Sequence, residues 1–258
     1  MRVKFFKCIV YPLIWLLFIN CVFGQVLNFN NLSWTNGSLS TTYNNIGGSG
    51  VNVTIDIDDL SGSLLSDYPE ITNLDTSGNS SAKSLALLTN FSNTSSVITV
   101  DIIFSKTVLN ASLSLWDIDV GNQSGGKFTF QDEISNLKFE SPNGTWSNAT
   151  NINVGNTVEK FNNDTLLGIS ANPNTSAGGT ANITFAAPTN EISFSYGSGP
   201  NSISNPNQQA ISIGSIGFSA APEPSTFYMG LCLTFLLGLS FLRGKYENKH
   251  KNKFKILD

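Results

Sequence analysis

The sequence predicts an all-β body, an antiparallel β-sandwich or jelly roll, and two observations carry that prediction. Apolar residues recur at every second position over short runs, the mark of half-buried antiparallel strands. The segments between those runs are built from Gly, Asn, Ser and Pro, the residues that turns demand. Many short strands joined by polar turns point to a layered or closed β architecture.

The runs appear in chain order as follows. Val51, Val53, Ile55 and Ile57 share one face, with Asn52, Thr54, Asp56 and Asp58 opposite. Ile98, Val100, Ile102 and Phe104 repeat the pattern, followed by Leu113 and Leu115, then Ile183 and Phe185, then Ile192, Phe194 and Tyr196. In the last run, Ile211 and Ile213 are out of phase with Ile216 and Phe218, and Gly214 between them predicts a β-bulge. Turns are expected at Gly47-Gly48-Ser49-Gly50, Ser77-Gly78-Asn79, Pro142-Asn143-Gly144, Gly178-Gly179 and residues 197–200. Residues 80–88 are the one stretch that reads as a short helix, and residues 201–209 read as a long loop. No fixed-period repeat is present, which argues against a solenoid or propeller.

The two ends of the chain have a different character. Arg2, Lys4 and Lys7 precede an apolar stretch over residues 8–23, and Val22-Phe23-Gly24 offers a cleavage site. Residues 1–24 therefore read as a secretory signal peptide that leaves Gln25 as the new N-terminus. At the other end, residues 226–242 carry no charge, at the lower limit of the roughly 17–25 residues a spanning helix needs. Arg243, Lys245, Lys249, Lys251, Lys253 and Lys255 follow, against Glu247 and Asp258. That asymmetry places the tail, residues 243–258, in the cytoplasm and the body outside. Pro222 and Pro224 hold the approach extended, since each restricts the residue before it, and an extended exposed segment is open to processing.

The order of these features, Ala221-Pro222-Glu223-Pro224-Ser225-Thr226, then the apolar run, then the Arg243-led basic end, resembles the PEP-CTERM sorting signal of Gram-negative bacterial surface proteins. The resemblance covers residues 222–258, with the motif at 222–226, the transmembrane helix at 226–242 and the basic tail from 243. It implies an exosortase-type membrane transpeptidase as partner, recognising Pro222, Glu223 and Pro224, and a transient inner-membrane anchor. It also implies a final place at the cell surface or in an exopolysaccharide-rich biofilm matrix.

The body, residues 25–221, is enough to bury a substantial core. It holds five lysines and no arginine against fifteen acidic residues, a net charge of −10. Such a surface repels phosphate backbones, so nucleic acid is not an expected partner. Cys8, Cys21 and Cys232 all lie outside the body, as does His250. The body therefore has no disulfide, no Cys or His metal ligand, and neither a Ser-His-Asp nor a Cys-His catalytic set.

Few motifs with chemistry remain. Gly121 to Lys127 matches the front of a phosphate-binding loop, but Phe128 stands where a Ser or Thr must meet magnesium, so it reads as a glycine-rich turn. Asp117-Ile118-Asp119 follows the apolar Leu113-Ser114-Leu115-Trp116, with Asp132-Glu133 downstream. This looks like a strand-end motif of β-rich domains in bacterial surface proteins. Residues two apart point the same way on a strand, so Asp117 and Asp119, with Asp132, are candidate ligands for calcium. It is not an EF-hand, since Asn122 and Phe128 stand where Gly and Glu are required. Asp56-Ile57-Asp58-Asp59 has the same form. In both places solvated turn carboxylates are the alternative. A carboxylate-only glycosidase is the one hydrolytic chemistry left open, with no particular pair marked for it.

Trp34, Trp116 and Trp146, with Tyr43, Tyr68 and Tyr196, offer faces on which sugar rings stack. Trp116 is the foremost candidate for a glycan contact, its alternative being to pack against a second sheet. The repeated Asn-x-Ser/Thr triplets follow from the composition. The sequence thus leads to a non-enzymatic surface or matrix protein, with a lectin-like module, calcium-dependent or not, as the second reading. Calcium is the one cofactor it suggests.

Overall fold

The computed structural model describes residues 24–79, 81–222, 234–240 and 243. The expected signal peptide lies outside the described residues except for Gly24, and so do Glu223 and Pro224. Of the 226–242 segment only residues 234–240 are described, and they are helical, as is Arg243. Among the described residues no helix is long and apolar enough to cross a membrane.

Phe23–Ala221 forms one compact unit. Its strands are β1 (Gly24–Asn28), β2 (Ser40–Tyr43), β3 (Val53–Asp58), β4 (Glu70–Thr72), β5 (Ser84–Thr89) and β6 (Val97–Trp116). Then come β7 (Gln123–Ser124), β8 (Lys127–Phe128), β9 (Asp132–Glu140), β10 (Trp146–Asn148), β11 (Asn151–Val154) and β12 (Val158–Lys160). The last four are β13 (Leu166–Gly168), β14 (Ala181–Phe185), β15 (Thr189–Ser198) and β16 (Gln209–Ala220). Fourteen of them join one antiparallel sheet whose main path runs β12-β13-β9-β15-β6-β16-β5-β4, and β7 and β8 make a separate hairpin.

The 20-residue β6 is the axis of the sheet. Along residues 97–104 it lies between β3 and β15; along residues 108–116 it lies between β14 and β16. A strand several times the usual length cannot stay flat, because twist accumulates along it. Asn110 adopts a left-handed backbone (φ 51°), and β16 shifts register between Gly217 and Ser219 opposite this region, as a bulge requires. The sheet curls accordingly, and apolar faces from its two halves meet. Phe104 on β6 meets Phe218 on β16 at 5.3 Å between ring centres, and Phe139 on β9 meets Phe185 on β14 at 5.6 Å. Such tilted ring pairs contribute about 0.5–1.5 kcal/mol each beyond their buried area.

Every alternating apolar set in the sequence is buried on a strand, from Val53, Ile55 and Ile57 to Ile211, Ile213, Ile216 and Phe218. The bulge expected at Gly214 is present as a register shift between Ile213 and Ser215. Of the 80–88 stretch, residues 81–88 are described and are not helical, β5 occupying the second half. Leu85 and Leu87 enter the core while Ser84 and Ala86 are buried on the opposite face, where the Ser84 hydroxyl donates to the Asp75 carbonyl at 3.1 Å. A strand covered on both faces loses the polar alternation that identifies its neighbours.

Candidate functional site

β6 ends at Trp116, and the next residue, Asp117, takes a left-handed backbone (φ 65°) that breaks the strand period. The chain then lies against residues 172–180: Ile118 N–H donates to the Gly179 carbonyl at 2.9 Å. Gly179 fits because a Cβ there would approach the Asp117 Cα to 3.2 Å. Asp117 and Asp119 consequently do not share a strand face, and each carboxylate finds its own surroundings.

Asp119 Oδ2 accepts from Asn172 N–H at 2.8 Å. Its own N–H donates to Asp132 Oδ2 at 3.0 Å, and its carbonyl accepts from Asp132 N–H at 3.0 Å. Asp132 is fully buried and accepts further from the Tyr196 hydroxyl at 2.8 Å and Gln209 Nε2 at 3.2 Å. Burial lifts its carboxyl well above the usual range despite these donors. Burial pushes Asp119 up to about 6, opposed by the Asn172 N–H and assisted by the charge of Asp75.

Asp75, a residue the sequence did not single out, completes the group. It sits beside a Ser-Gly-Asn turn and looks like an ordinary loop aspartate. It is only 2% exposed. Its Oδ1 accepts from Asn174 Nδ2 at 2.9 Å and its Oδ2 from the Ser212 hydroxyl. The Asp117 carboxyl is pushed up to about 8, by burial first and then by the charges of Asp75 and Asp119, and its buried Oδ1 has no hydrogen-bond partner.

The structure brings Asp117, Asp119 and Asp132, the trio expected to hold calcium, to the end of β6, each carboxylate in its own surroundings. The three carboxylates occupy one end of the fold but do not surround one point. Among the described residues no three His, Cys, Asp or Glu side chains are grouped to hold a metal. The left-handed turn at Asp117 and the donors committed to Asp119 and Asp132 are the physical reasons. In the other acidic run, Asp56 and Asp58 point to solvent from β3, and Asp59 caps a turn by accepting from Ser63 and Leu64 N–H at 2.9 Å each.

Trp116 is half-buried, its indole lying over the Gly214 backbone, where a Cβ would come within 2.1 Å of the ring. Its Nε1–H donates to Ser114 Oγ at 2.8 Å, and that hydroxyl donates to Asn182 Oδ1 at 3.0 Å. The other candidate rings differ. Trp34, Tyr43 and Tyr196 are buried, whereas Trp146 is 38% exposed with Lys138 Nζ 4.6 Å from its ring centre. The glycine-rich stretch forms the β7–β8 hairpin, with Gly125 (φ 60°) and Gly126 (φ 84°) at its tip, and Lys127 Nζ donates to the Ser202 carbonyl at 3.2 Å. Of the sorting residues, Pro222 is exposed just beyond β16, and Arg243 is exposed and helical.

No family model and no curated protein matches the chain. Among solved structures, the enzymatically active domain of bacteriophage CBA120 tailspike protein 4 overlaps 76% of this chain and 21% of its own, at 11% identity and a TM-score of 0.33. A likeness of that degree decides neither fold nor activity.

Proposed function

We propose that this chain is a non-enzymatic, exported protein of the cell surface or extracellular matrix, whose body is a closed β-sandwich delivered and released by its two ends. The observation that carries this reading is the pairing of β1 with β16. Gly24 lies opposite Ser219, and Gln25 opposite Phe218. The first strand thus begins where signal cleavage would leave the chain, and the last ends at Ala220, just before the exposed Pro222. Both cuts would fall at the margin of the sheet and leave its core untouched, so an exosortase-type transpeptidase at the inner membrane would act on an already folded body. The curled ladder around β6 and its ring contacts support a sandwich. The four clustered aspartates are between 0% and 9% exposed, and Asp75, Asp119 and Asp132 are hydrogen-bonded to neighbouring groups, which suits a structural role better than attack on a polysaccharide.

The test is processing in a host with the sorting machinery. Replacing Pro222, Glu223 and Pro224 together by Ala is expected to leave the chain uncut in the inner-membrane fraction. Unchanged processing of that variant would refute the sorting role.

A carbohydrate-binding module is the second reading, favoured by the fixed, half-exposed indole of Trp116. A glycan array that binds the wild type and loses binding with Trp116→Ala would support it.

A further inference from the structure

Composition alone does not account for the Asn-x-Ser/Thr triplets of the body. Of the 197 residues from 25 to 221, 28 are Asn and 50 are Ser or Thr, so chance would put a hydroxyl at any fixed offset from about seven of the asparagines. Two residues after Asn the hydroxyl occurs thirteen times; two residues before it, and one residue after it, it occurs five times each. Strand alternation has no direction, since residues two apart share a face whichever comes first. An excess confined to one offset and one direction marks a pattern that something reads along the chain. Local structure does not supply the reason. Asn79, Asn93 and Asn143 accept through Oδ1 from the N–H of Ser81, Ser95 and Thr145 at 3.2, 2.8 and 3.1 Å, a turn that Asn makes with its own backbone. Asn28 and Asn162 close the same turn on Asn30 and Asp164 at 3.3 and 3.0 Å, so it needs no hydroxyl.

The fold keeps the triplets within reach: twelve of the thirteen asparagines are exposed and Asn52 is half-buried. Two lie where the chain turns away from the sheet. Asn143-Gly144-Thr145 belongs to the turn between β9 and β10, where residues 142–148 are all exposed and Gly144 has φ 79°. Asn163-Asp164-Thr165 belongs to the turn between β12 and β13, with Asn163 exposed. Asn182, by contrast, is held within β14 between β6 and β11, and its Oδ1 accepts from Ser114 Oγ at 3.0 Å. We propose that Asn143 and Asn163 of the folded, exported body are N-glycosylated and that Asn182 is spared. The triplet, with no proline at its centre, is the acceptor pattern for sugar on exported chains. The co-substrate is a sugar joined through C1 to a lipid diphosphate. Asn Nδ2 forms a bond to C1, the bond from C1 to the diphosphate oxygen breaks, and the displaced Nδ2 proton leaves with the diphosphate. The inference rests on the export reading, because the donor and the body must meet outside the inner membrane.

The test is peptide mass spectrometry of the protein made in its own host, alongside Asn143→Gln and Thr145→Ala, which change only exposed turn residues. A product beginning at Gln25, with peptides spanning Asn143 and Asn163 each heavier by at least one sugar and the Asn182 peptide unmodified, is expected. Both variants are expected to lose the sugar at position 143 and to keep it at Asn163. A product that begins at Gln25 and is unmodified at Asn143 and Asn163 overturns the proposal while leaving export intact. Sugar retained on that peptide in Asn143→Gln means attachment to a hydroxyl and overturns it as well, as does sugar on Asn143 in Thr145→Ala. A product that still begins at Met1 refutes export and this inference with it.

Discussion

Burial makes the aspartates near the end of β6 reluctant to ionise, and the consequence runs against the usual acid sensitivity of proteins. Asp117 is held up to about 8 and Asp119 up to about 6, each from 3.8. The folded state then binds protons that the unfolded chain releases, so stability falls as pH rises. The window opens near the unfolded value and closes as Asp117 ionises. The urea midpoint is expected to decline from pH 5 to pH 9, and Asp117→Asn is expected to remove the upper part of that decline. A midpoint that rises with pH over this range would contradict the burial of these groups. Asp132 makes a different contribution, because it satisfies the Tyr196 hydroxyl, the Gln209 amide and the Asp119 N–H. Asp132→Ala is expected to cost about 3 kcal/mol or more in equilibrium unfolding, since each stranded buried donor costs about 1–3 kcal/mol. At Gly214 the Trp116 ring occupies the place of a Cβ, so Gly214→Ala is expected to cost about 1–3 kcal/mol through overpacking and to shift the indole emission. The sequence located the neighbourhood of Asp117, Asp119 and Asp132 because aspartates cluster where a strand leaves its sheet. It could not show Asp75 joining them, since that contact depends on a loop crossing from a distant part of the chain.

Strands were legible where one face met the core and the other met water. β3, the first half of β6 and β14 all show that alternation, and the phase break at Gly214 marked a real bulge. β5 was missed because the Asp75 loop covers its outer face, so the sequence shows a continuous apolar run that resembles a helix. The continuity of β6 was also hidden. Its two alternating runs are separated by Ser105, Lys106 and Thr107, which look like a loop yet carry the strand from one set of neighbours to the next. β1 is a short edge strand whose one deeply buried large side chain, apart from its exposed neighbours, is Leu27 at 2% exposure. Leu27→Ala is expected to cost about 2–5 kcal/mol by urea denaturation, loosening β1 from β16. Unaltered stability would mean that the first strand is not part of the cooperative core.

At the scale of the whole molecule, an acidic, cysteine-free body relies on its apolar core rather than on covalent staples, and its first and last strands close against each other. Under the proposed processing, cuts after Gly24 and beyond Pro222 would fall at the outer margins of the first and last strands and take no core residue with them. The expectation for the two ends rests on charge and hydropathy, which need no fold to interpret, whereas the pairing of β1 with β16 required the ladder. The most direct test is the intact mass and cell fraction of the mature protein made in a host with the sorting machinery. A product outside the inner membrane that begins at Gln25 and ends between Pro222 and Ser225 is the predicted result. A product that still carries Asp258 and stays in the inner membrane would contradict it and leave a permanently anchored ectodomain instead.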